Sequence, residues 1–142
     1  MDIRKLRTDD YDRIIELWEK AGLSHRPEGR DSRNEMVRQI NEFGDLFLGA
    51  FVDGVLVGVI VGSDDGRKGW INRLAVLPDH QRQGIAIELI QAVEEALETR
   101  NRRIISVLIE PPNDSSISLF EKAGYKAWDG MAYLSKREDE KV

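Results

Sequence analysis

The loop Gln81-Arg82-Gln83-Gly84-Ile85-Ala86 decides how the rest of this chain is interpreted. It lies between an apolar strand, predicted over residues 70–76, and an amphipathic helix, predicted over residues 84–101. Successive backbone N–H groups ahead of a helix, together with the positive end of its dipole, form a cradle for an anion such as a pyrophosphate. Gly84 has no Cβ, so the backbone there can approach an anion closely. Since a glycine before a helix also serves as a simple tight turn, the neighbouring motifs must decide between the two.

Length and composition restrict the class of protein. The 142 residues fit a single domain that can bury its own core. The chain has no cysteine, which excludes disulfides and thiolate chemistry and fits a reducing compartment, so we expect a cytoplasmic protein. No apolar run approaches the length of a membrane span, and no membrane partner is expected. The net charge of −5 argues against a broad nucleic-acid surface, but not against an anionic ligand bound by local N–H dipoles.

The first part of the chain predicts antiparallel strands and two helices. Apolar residues at helical spacing follow a short N-terminal strand, and the dipeptide Asp53-Gly54 between two apolar runs favours a two-residue hairpin turn. The predicted elements are a strand (1–7), two helices (9–22 and 32–43) and the two hairpin strands (46–52 and 55–61). A polar segment over residues 25–31 separates the two helices.

The second part predicts a parallel βαβ crossover. A nearly continuous apolar run over residues 104–109 follows the helix that begins at Gly84, as in a strand that is buried on both faces. Pro111 and Pro112 should end this strand. The remaining predicted elements are a short helix (114–123), which Gly124 ends, and two final strands (125–128 and 131–136). The fold class is therefore α/β, with one mixed sheet and a ligand crevice where the sheet changes direction.

Three motifs in order resemble the GNAT superfamily of acetyl-CoA-dependent N-acetyltransferases. They are "INRLAVLPDH" at residues 71–80, "QRQGIA" at residues 81–86, and Asn113 followed by "LFEKAGY" at residues 119–125. The resemblance implies one N-acetyltransferase domain over residues 1–142. It also implies a GNAT-like fold in which the two central strands splay apart, and acetyl-CoA as the cosubstrate, with no metal.

The resemblance further implies where the coenzyme binds. Pantetheine would insert between the splayed strands and pair with the backbone at Leu74 and Val76, on either side of Ala75. The pyrophosphate would lie on the whole loop, that is, on Gln81, Arg82, Gln83, Gly84, Ile85 and Ala86. Asn113 matches the asparagine that contacts the pantetheine arm, although the same residue type is a common helix cap.

The candidate catalytic residues depart from the family pattern at two positions. The family resemblance implies the Val76 N–H as the donor to the developing oxyanion, but the strand over residues 70–76 carries no carboxylate that could act as a base. Glu110 is the nearest substitute, and its alternative interpretation is a solvated acid. Phe120 stands where many GNAT enzymes have a tyrosine that protonates the sulfur. Ser116, one helical turn earlier, could replace that acid or could simply be a small packing residue.

Two functions from different classes remain open. The first is acetyl transfer to a primary amine of a small molecule or protein, by a monomer or homodimer; the second is a non-catalytic acyl-CoA-binding module. The resemblance makes residues 25–31 the source of acceptor specificity, with Glu28 and Asp31 expected to bind a cationic acceptor, whereas the alternative is a plain solvated connection. The adjacent Asp64 and Asp65 suggest turn residues rather than a metal pair.

Overall fold

A mixed sheet of five strands organises the part of the chain that the computed structural model describes, residues 1–110 and 113–142. The strands follow one another in sequence order and are β1 (Asp2–Lys5), β2 (Phe47–Val52), β3 (Val55–Asp64), β4 (Gly69–Val76) and β5 (Ile105–Val107). The helices are α1 (Tyr11–Lys20), α2 (Arg33–Phe43), α3 (Ile85–Thr99) and α4 (Asp114–Lys122). The first four strands are antiparallel neighbours, whereas β4 and β5 are parallel. This arrangement confirms the predicted α/β class and the βαβ crossover.

The β2–β3 hairpin forms at the predicted dipeptide. Asp53 has a φ of 50° and Gly54 a φ of 78°, so both turn residues are left-handed. Because a two-residue turn of this kind matches the twist of the strands, Val52 pairs directly with Val55.

Helices cover both faces of the sheet and divide the core in two. On one face, α1 and α2 bury Ile14, Trp18 and Met36 against the sheet. On the other face, α3 and α4 bury Leu89, Val93 and Phe120. The sheet thus lies between two helical layers, and each layer approaches β4 from a different side.

Three glycines allow α3 to lie close to the sheet. A Cβ at Gly58 would stand 2.9 Å from Leu89 Cδ1, and one at Gly62 would stand 2.9 Å from Val93 Cγ2. A Cβ at Gly69 would stand 2.7 Å from Leu97 Cδ1. Leu89, Val93 and Leu97 recur every four residues on α3, so one stripe of the helix rests on one row of glycines.

The strands β4 and β5 separate after a short paired region. Pairing runs from Gly69 with Ile105 to Ile71 with Val107, and β4 then continues to Val76 with only β3 beside it. A gap therefore opens at the edge of the last part of β4. This opening is the splayed strand pair that the resemblance implies.

The C-terminal part of the chain differs from the prediction. No strand forms over residues 125–128 or 131–136; Trp128, Met131, Tyr133 and Leu134 are exposed instead. The strand predicted over residues 104–109 is also wrong in extent, since β5 spans three residues and leaves Ile104 and Leu108 exposed. A strand needs a paired neighbour, and β5 offers only a short edge. Pro111 and Pro112, expected to end that strand, lie outside the described residues.

Candidate functional site

The loop before α3 adopts an open, left-handed geometry. Arg82 has a φ of 63° and Gly84, the residue that precedes the helix, has a φ of 83°. A Cβ at Gly84 would meet no atom within 4 Å, so the space beside its backbone is free. The first helical bond is the one that the Glu88 N–H donates to the Gly84 carbonyl, at 3.1 Å. The N–H groups of Ile85, Ala86 and Ile87 therefore have no intrahelical acceptor and are available to an anion.

Two side chains of the loop form hydrogen bonds to nearby backbone, and a third is exposed to solvent. Gln81 Nε2 donates to the Val76 carbonyl at 3.1 Å and so ties the loop to the end of β4. Gln83 Nε2 donates to the Asp79 carbonyl at 3.4 Å. Arg82 is exposed and forms no ion pair within the described ranges. Arg82 is thus the cation that the loop offers to an anionic ligand.

The open edge of β4 presents backbone groups to the gap. The Leu77 N–H donates to the Val57 carbonyl at 2.8 Å, so Leu77 faces β3. Because successive residues of a strand alternate, Ala75 also faces β3, whereas Leu74 and Val76 direct their N–H and C=O groups to the open edge. The Val76 carbonyl accepts from Gln81, which leaves the Val76 N–H and both backbone groups of Leu74 without a strand partner. The side chain of Ala75 is buried on the α1 and α2 face.

The start of α4 is capped by the asparagine that the sequence singled out. Asn113 Oδ1 accepts from the Ser116 N–H and from the Ser115 hydroxyl, both at 3.3 Å. Asn113 is therefore a helix cap in this structure, and its amide Nδ2 stays exposed to a ligand. Ser116 is half-buried.

The aromatic ring of Phe120 lies in the core. It is 5% exposed and packs edge-on against Tyr125, with ring centroids 5.1 Å apart. The Tyr125 hydroxyl donates to Glu94 Oε2 at 2.8 Å, and burial together with this acidic neighbour raises the pKa of Tyr125. Neither aromatic residue supplies a free acid. Glu110 is exposed, and no described side chain forms a hydrogen bond or an ion pair with it.

A buried ion pair fixes the segment between α1 and α2 to β4. Arg73 donates to the Ser24 carbonyl at 2.6 Å and to Asp31 Oδ2 at 2.9 Å, and its guanidinium lies 4.5 Å from the centre of the Trp18 ring. Asp31 is 4% exposed, and the same Oδ2 accepts from the Arg26 N–H at 2.7 Å. Burial lowers the pKa of Arg73, against the opposing effect of Asp31.

Two sequence-based interpretations change as a result. The sequence predicts that Asp31 binds an acceptor, but its carboxylate is enclosed and already paired with Arg73. Glu28 forms an ion pair with Lys141 at 3.2 Å. Sequence reasoning had missed Arg73, although a lone cation within an apolar strand was the available signal, because a strand residue on the buried face needs a partner.

The paired aspartates serve the β3–β4 turn. Asp65 Oδ1 accepts from the N–H groups of Arg67 and Lys68, and Asp65 Oδ2 accepts from the indole of Trp70. Asp64 pairs with Arg100 and Arg102. Across residues 1–110 and 113–142, no cluster of three or more His, Asp or Glu side chains could hold a metal ion, and no helix is long and apolar enough to cross a membrane.

Comparison with known proteins places this geometry in a family. The model of the acetyltransferase (GNAT) family matches residues 4–125. An acetyltransferase of Sodalis glossinidius (strain morsitans) is 39% identical over 137 residues, which cover 96% of this chain and 95% of the relative. An acetyltransferase of Pectobacterium atrosepticum is 38% identical over the same shares of both chains.

Solved structures share the fold. The PaiA N-acetyltransferase of Thermoplasma acidophilum, in complex with coenzyme A, has a TM-score of 0.80 at 23% identity and covers 92% of each chain. AAC(6')-Iy, in complex with the bisubstrate analogue CoA-S-monomethyl-acetylneamine, has a TM-score of 0.79 at 21% identity; the match covers 96% of this chain and 97% of that one.

Proposed function

This chain belongs to the GNAT acetyltransferase family, and on that premise we propose that it transfers an acetyl group from acetyl-CoA to a primary amine by direct attack. The observation that carries the proposal is the gap between β4 and β5, which opens beside the N–H groups at the start of α3. A strand edge and a helix N-terminus next to each other suit a ligand that has an extended amide arm and a pyrophosphate.

The residues on the two sides of the gap bind different parts of the coenzyme. The backbone groups of Leu74 and the Val76 carbonyl, which can accept a second bond beside that from Gln81, pair with the amides of pantetheine, as an added strand would. The Val76 N–H stays free for the developing oxyanion. The N–H groups of Ile85 and Ala86, the glycine at position 84 and the Arg82 guanidinium hold the pyrophosphate. The amide of Asn113 is the remaining polar contact to the pantetheine arm. Gln81 and Gln83 help to hold the loop in shape through their bonds to the Val76 and Asp79 carbonyls.

The chemistry requires few protein groups. The amine nitrogen forms a bond to the thioester carbonyl carbon, the C–S bond breaks, and the nitrogen loses a proton. The N–H of Val76 stabilises the oxygen on which charge develops. The free thiol has a reference pKa of about 8.5, so its thiolate leaves readily near neutral pH without a strong acid. This property is consistent with a phenylalanine at position 120, and Ser116 is the alternative proton donor.

Glu110 is the proposed general base. Glu110 is exposed and forms no ion pair among the described residues, so it is free to accept a proton directly or through water. A Glu110→Gln variant should lower kcat if Glu110 is that base and should leave CoA affinity unchanged. If the acceptor binds as the neutral amine, no base is needed and the kcat of this variant should equal that of the parent.

Two measurements test the proposed function. Calorimetry with CoA reports whether the cradle binds, and release of CoA from acetyl-CoA, followed with a thiol reagent, reports transfer to a panel of amines. The assay has no protein background, since the chain contains no cysteine. We expect binding, and thiol release that depends on an amine. Tight binding without transfer to any amine would instead support an acyl-CoA-binding module, and absence of binding would refute the cradle.

A further inference from the structure

The acceptor has to approach β4 from the α1 and α2 side. On the opposite side, Val76 and Leu74 pack against the cluster that contains α3 and α4. On the approach side, the wall is the segment from Ser24 to Asp31, which Arg73 holds against β4 at both of its ends. Arg26 belongs to this wall, because its N–H donates to the same Asp31 carboxylate oxygen that Arg73 binds.

The carboxylates of this wall are already occupied. Asp31 accepts from Arg73 and from the Arg26 N–H, and Glu28 pairs with Lys141. Recognition of a polyamine requires several accessible carboxylates. This segment offers only Glu28, whose pair with Lys141 is exposed, because the Asp31 carboxylate is enclosed by Arg73.

The positive charge of the wall is not neutralised in the same way. Most arginines of the described chain have a carboxylate partner, as in the pairs of Arg4 with Asp10, Arg33 with Asp12 and Arg38 with Glu35. The side chain of Arg26 is half-buried and forms neither an ion pair nor a hydrogen bond with any described residue. Arg30 uses its guanidinium on the Val142 carbonyl, at 2.8 Å.

These cations repel one another. Burial lowers the pKa of Arg73, Asp31 opposes this effect, and Arg30 and Arg26 lie near enough to lower the pKa further. At this wall three arginines (Arg26, Arg30 and Arg73) stand against two acids (Glu28 and Asp31), which leaves one excess positive charge in a chain whose net charge is −5. An anionic group bound there would relieve the repulsion.

We propose, resting on the function proposed above, that the acceptor is an amine that also carries a carboxylate, and that Arg26 binds this carboxylate. A guanidinium offers two parallel N–H groups that match the two carboxylate oxygens, which fixes the orientation of the acceptor as well as its charge. The amine of such a molecule can then point into the gap. Arg73 attracts the same carboxylate through its positive charge and holds the segment in place by its bonds to Ser24 and Asp31.

Matched pairs of acceptors test the proposal. Each L-amino acid is assayed beside the amine that has hydrogen in place of the carboxylate, for example L-lysine beside cadaverine and L-phenylalanine beside phenethylamine. We expect kcat/KM to be about 10- to 100-fold higher for the carboxylated member, as for a hydrogen bond between charged groups. Arg26→Gln should abolish this difference by raising KM for the carboxylated member. The Arg26 N–H that bonds Asp31 is retained in that variant.

Controls separate this inference from the function on which it rests. Arg38→Gln, on the exposed face of α2, should leave both acceptors unchanged, and Arg26→Lys should restore part of the preference because it restores the charge. CoA affinity, measured by calorimetry, should be unchanged in all three variants. A preference for the decarboxylated amines, or a carboxylate preference that survives Arg26→Gln, would refute the inference alone. Transfer to neither member of any pair, with CoA bound, would refute the proposed function and the inference with it.

Discussion

Gly84 illustrates how a single backbone conformation prepares the loop for an anion. Its φ of 83° lies in the left-handed region, where a residue with a Cβ is strained by about 1–2 kcal/mol, and a β-branched residue fits worst. The space beside it is empty of protein atoms. In Gly84→Val the side chain would fill that space, so we expect CoA affinity to fall at least about 10-fold. Calorimetry with CoA on a variant shown to be folded measures the effect.

Gly66 provides the matched control for this prediction. It has a φ of 88°, no atom within 4 Å of a Cβ and a position in the β3–β4 turn, away from the loop. Gly66→Val carries the same type of strain and should lower stability without changing CoA affinity. Equal loss of affinity in both variants would assign the effect to stability rather than to the cradle.

Phe120 tests the mechanism at the same scale. If its ring lies beside the coenzyme sulfur, Phe120→Tyr adds a proton donor, and we expect kcat to rise by about 10²-fold or less because a thiolate needs little assistance. The gain should fade as the pH approaches about 10, where an ordinary tyrosine loses its proton. Phe43→Tyr, at the end of α2, is the control and should leave kcat unchanged. A folded Phe120→Tyr variant with the kcat of the parent would show that the ring is elsewhere.

At the scale of elements, one buried carboxylate joins β1 to α1. Asp10 accepts from the Arg4 and Arg13 guanidinium groups, at 2.9 Å and 2.8 Å, and from the Arg7 N–H at 2.8 Å. Burial by itself would raise the pKa of this carboxyl, but these bonds outweigh it and lower the pKa from 3.8 to about 2. Because the folded state holds the charged form more tightly, the pair stabilises the fold at neutral pH and stops doing so in acid.

The linkage gives a prediction for pH. The lowered pKa corresponds to about 2 kcal/mol of stability above pH 4, which is lost as the pH falls from about 4 to about 2. Asp10→Asn should therefore be less stable than the parent at pH 7, and the difference should narrow across that interval. Urea unfolding at several pH values measures it. The neighbour Asp9 is exposed, so Asp9→Asn should show no such dependence, and a constant penalty for Asp10→Asn would contradict the assignment.

At the scale of the whole molecule, secondary structure stops well before the chain does. After the Tyr125 N–H bonds the Phe120 carbonyl, residues 126–140 are exposed and lack strands and helices. Their amides should exchange with solvent within seconds, whereas those of β3 and β4 should be protected. Hydrogen exchange followed by mass spectrometry distinguishes the two regions. Protection over residues 131–136 would restore the strand that the sequence pattern predicts and contradict this structure.

Features that depend on adjacent residues can be predicted from this sequence, whereas features that depend on distant residues cannot. The hairpin at Asp53-Gly54 and the helix end at Gly124 depend on the backbone of adjacent residues, so the local sequence was sufficient to predict them. The strand over residues 131–136 depends on a neighbour for its hydrogen bonds, and a β-rich composition cannot supply one. The pairing of Arg73 with Asp31 joins positions 42 residues apart, and no spacing rule connects them.

The row of Gly58, Gly62 and Gly69 beneath α3 bears on which mutations the protein tolerates. Any side chain there would meet Leu89, Val93 or Leu97, which are fully buried, so either these side chains must repack or α3 and its first turn must shift. A screen for mutants that no longer bind CoA should therefore find substitutions at these three glycines, although they lie in the sheet below the helix and not in the loop. By contrast, Gln83 is exposed in the loop itself and its hydrogen bond to the Asp79 carbonyl is long, at 3.4 Å, so its replacement should cost little. The three glycines beneath α3 should therefore tolerate fewer substitutions than the solvent-exposed side chains of the loop.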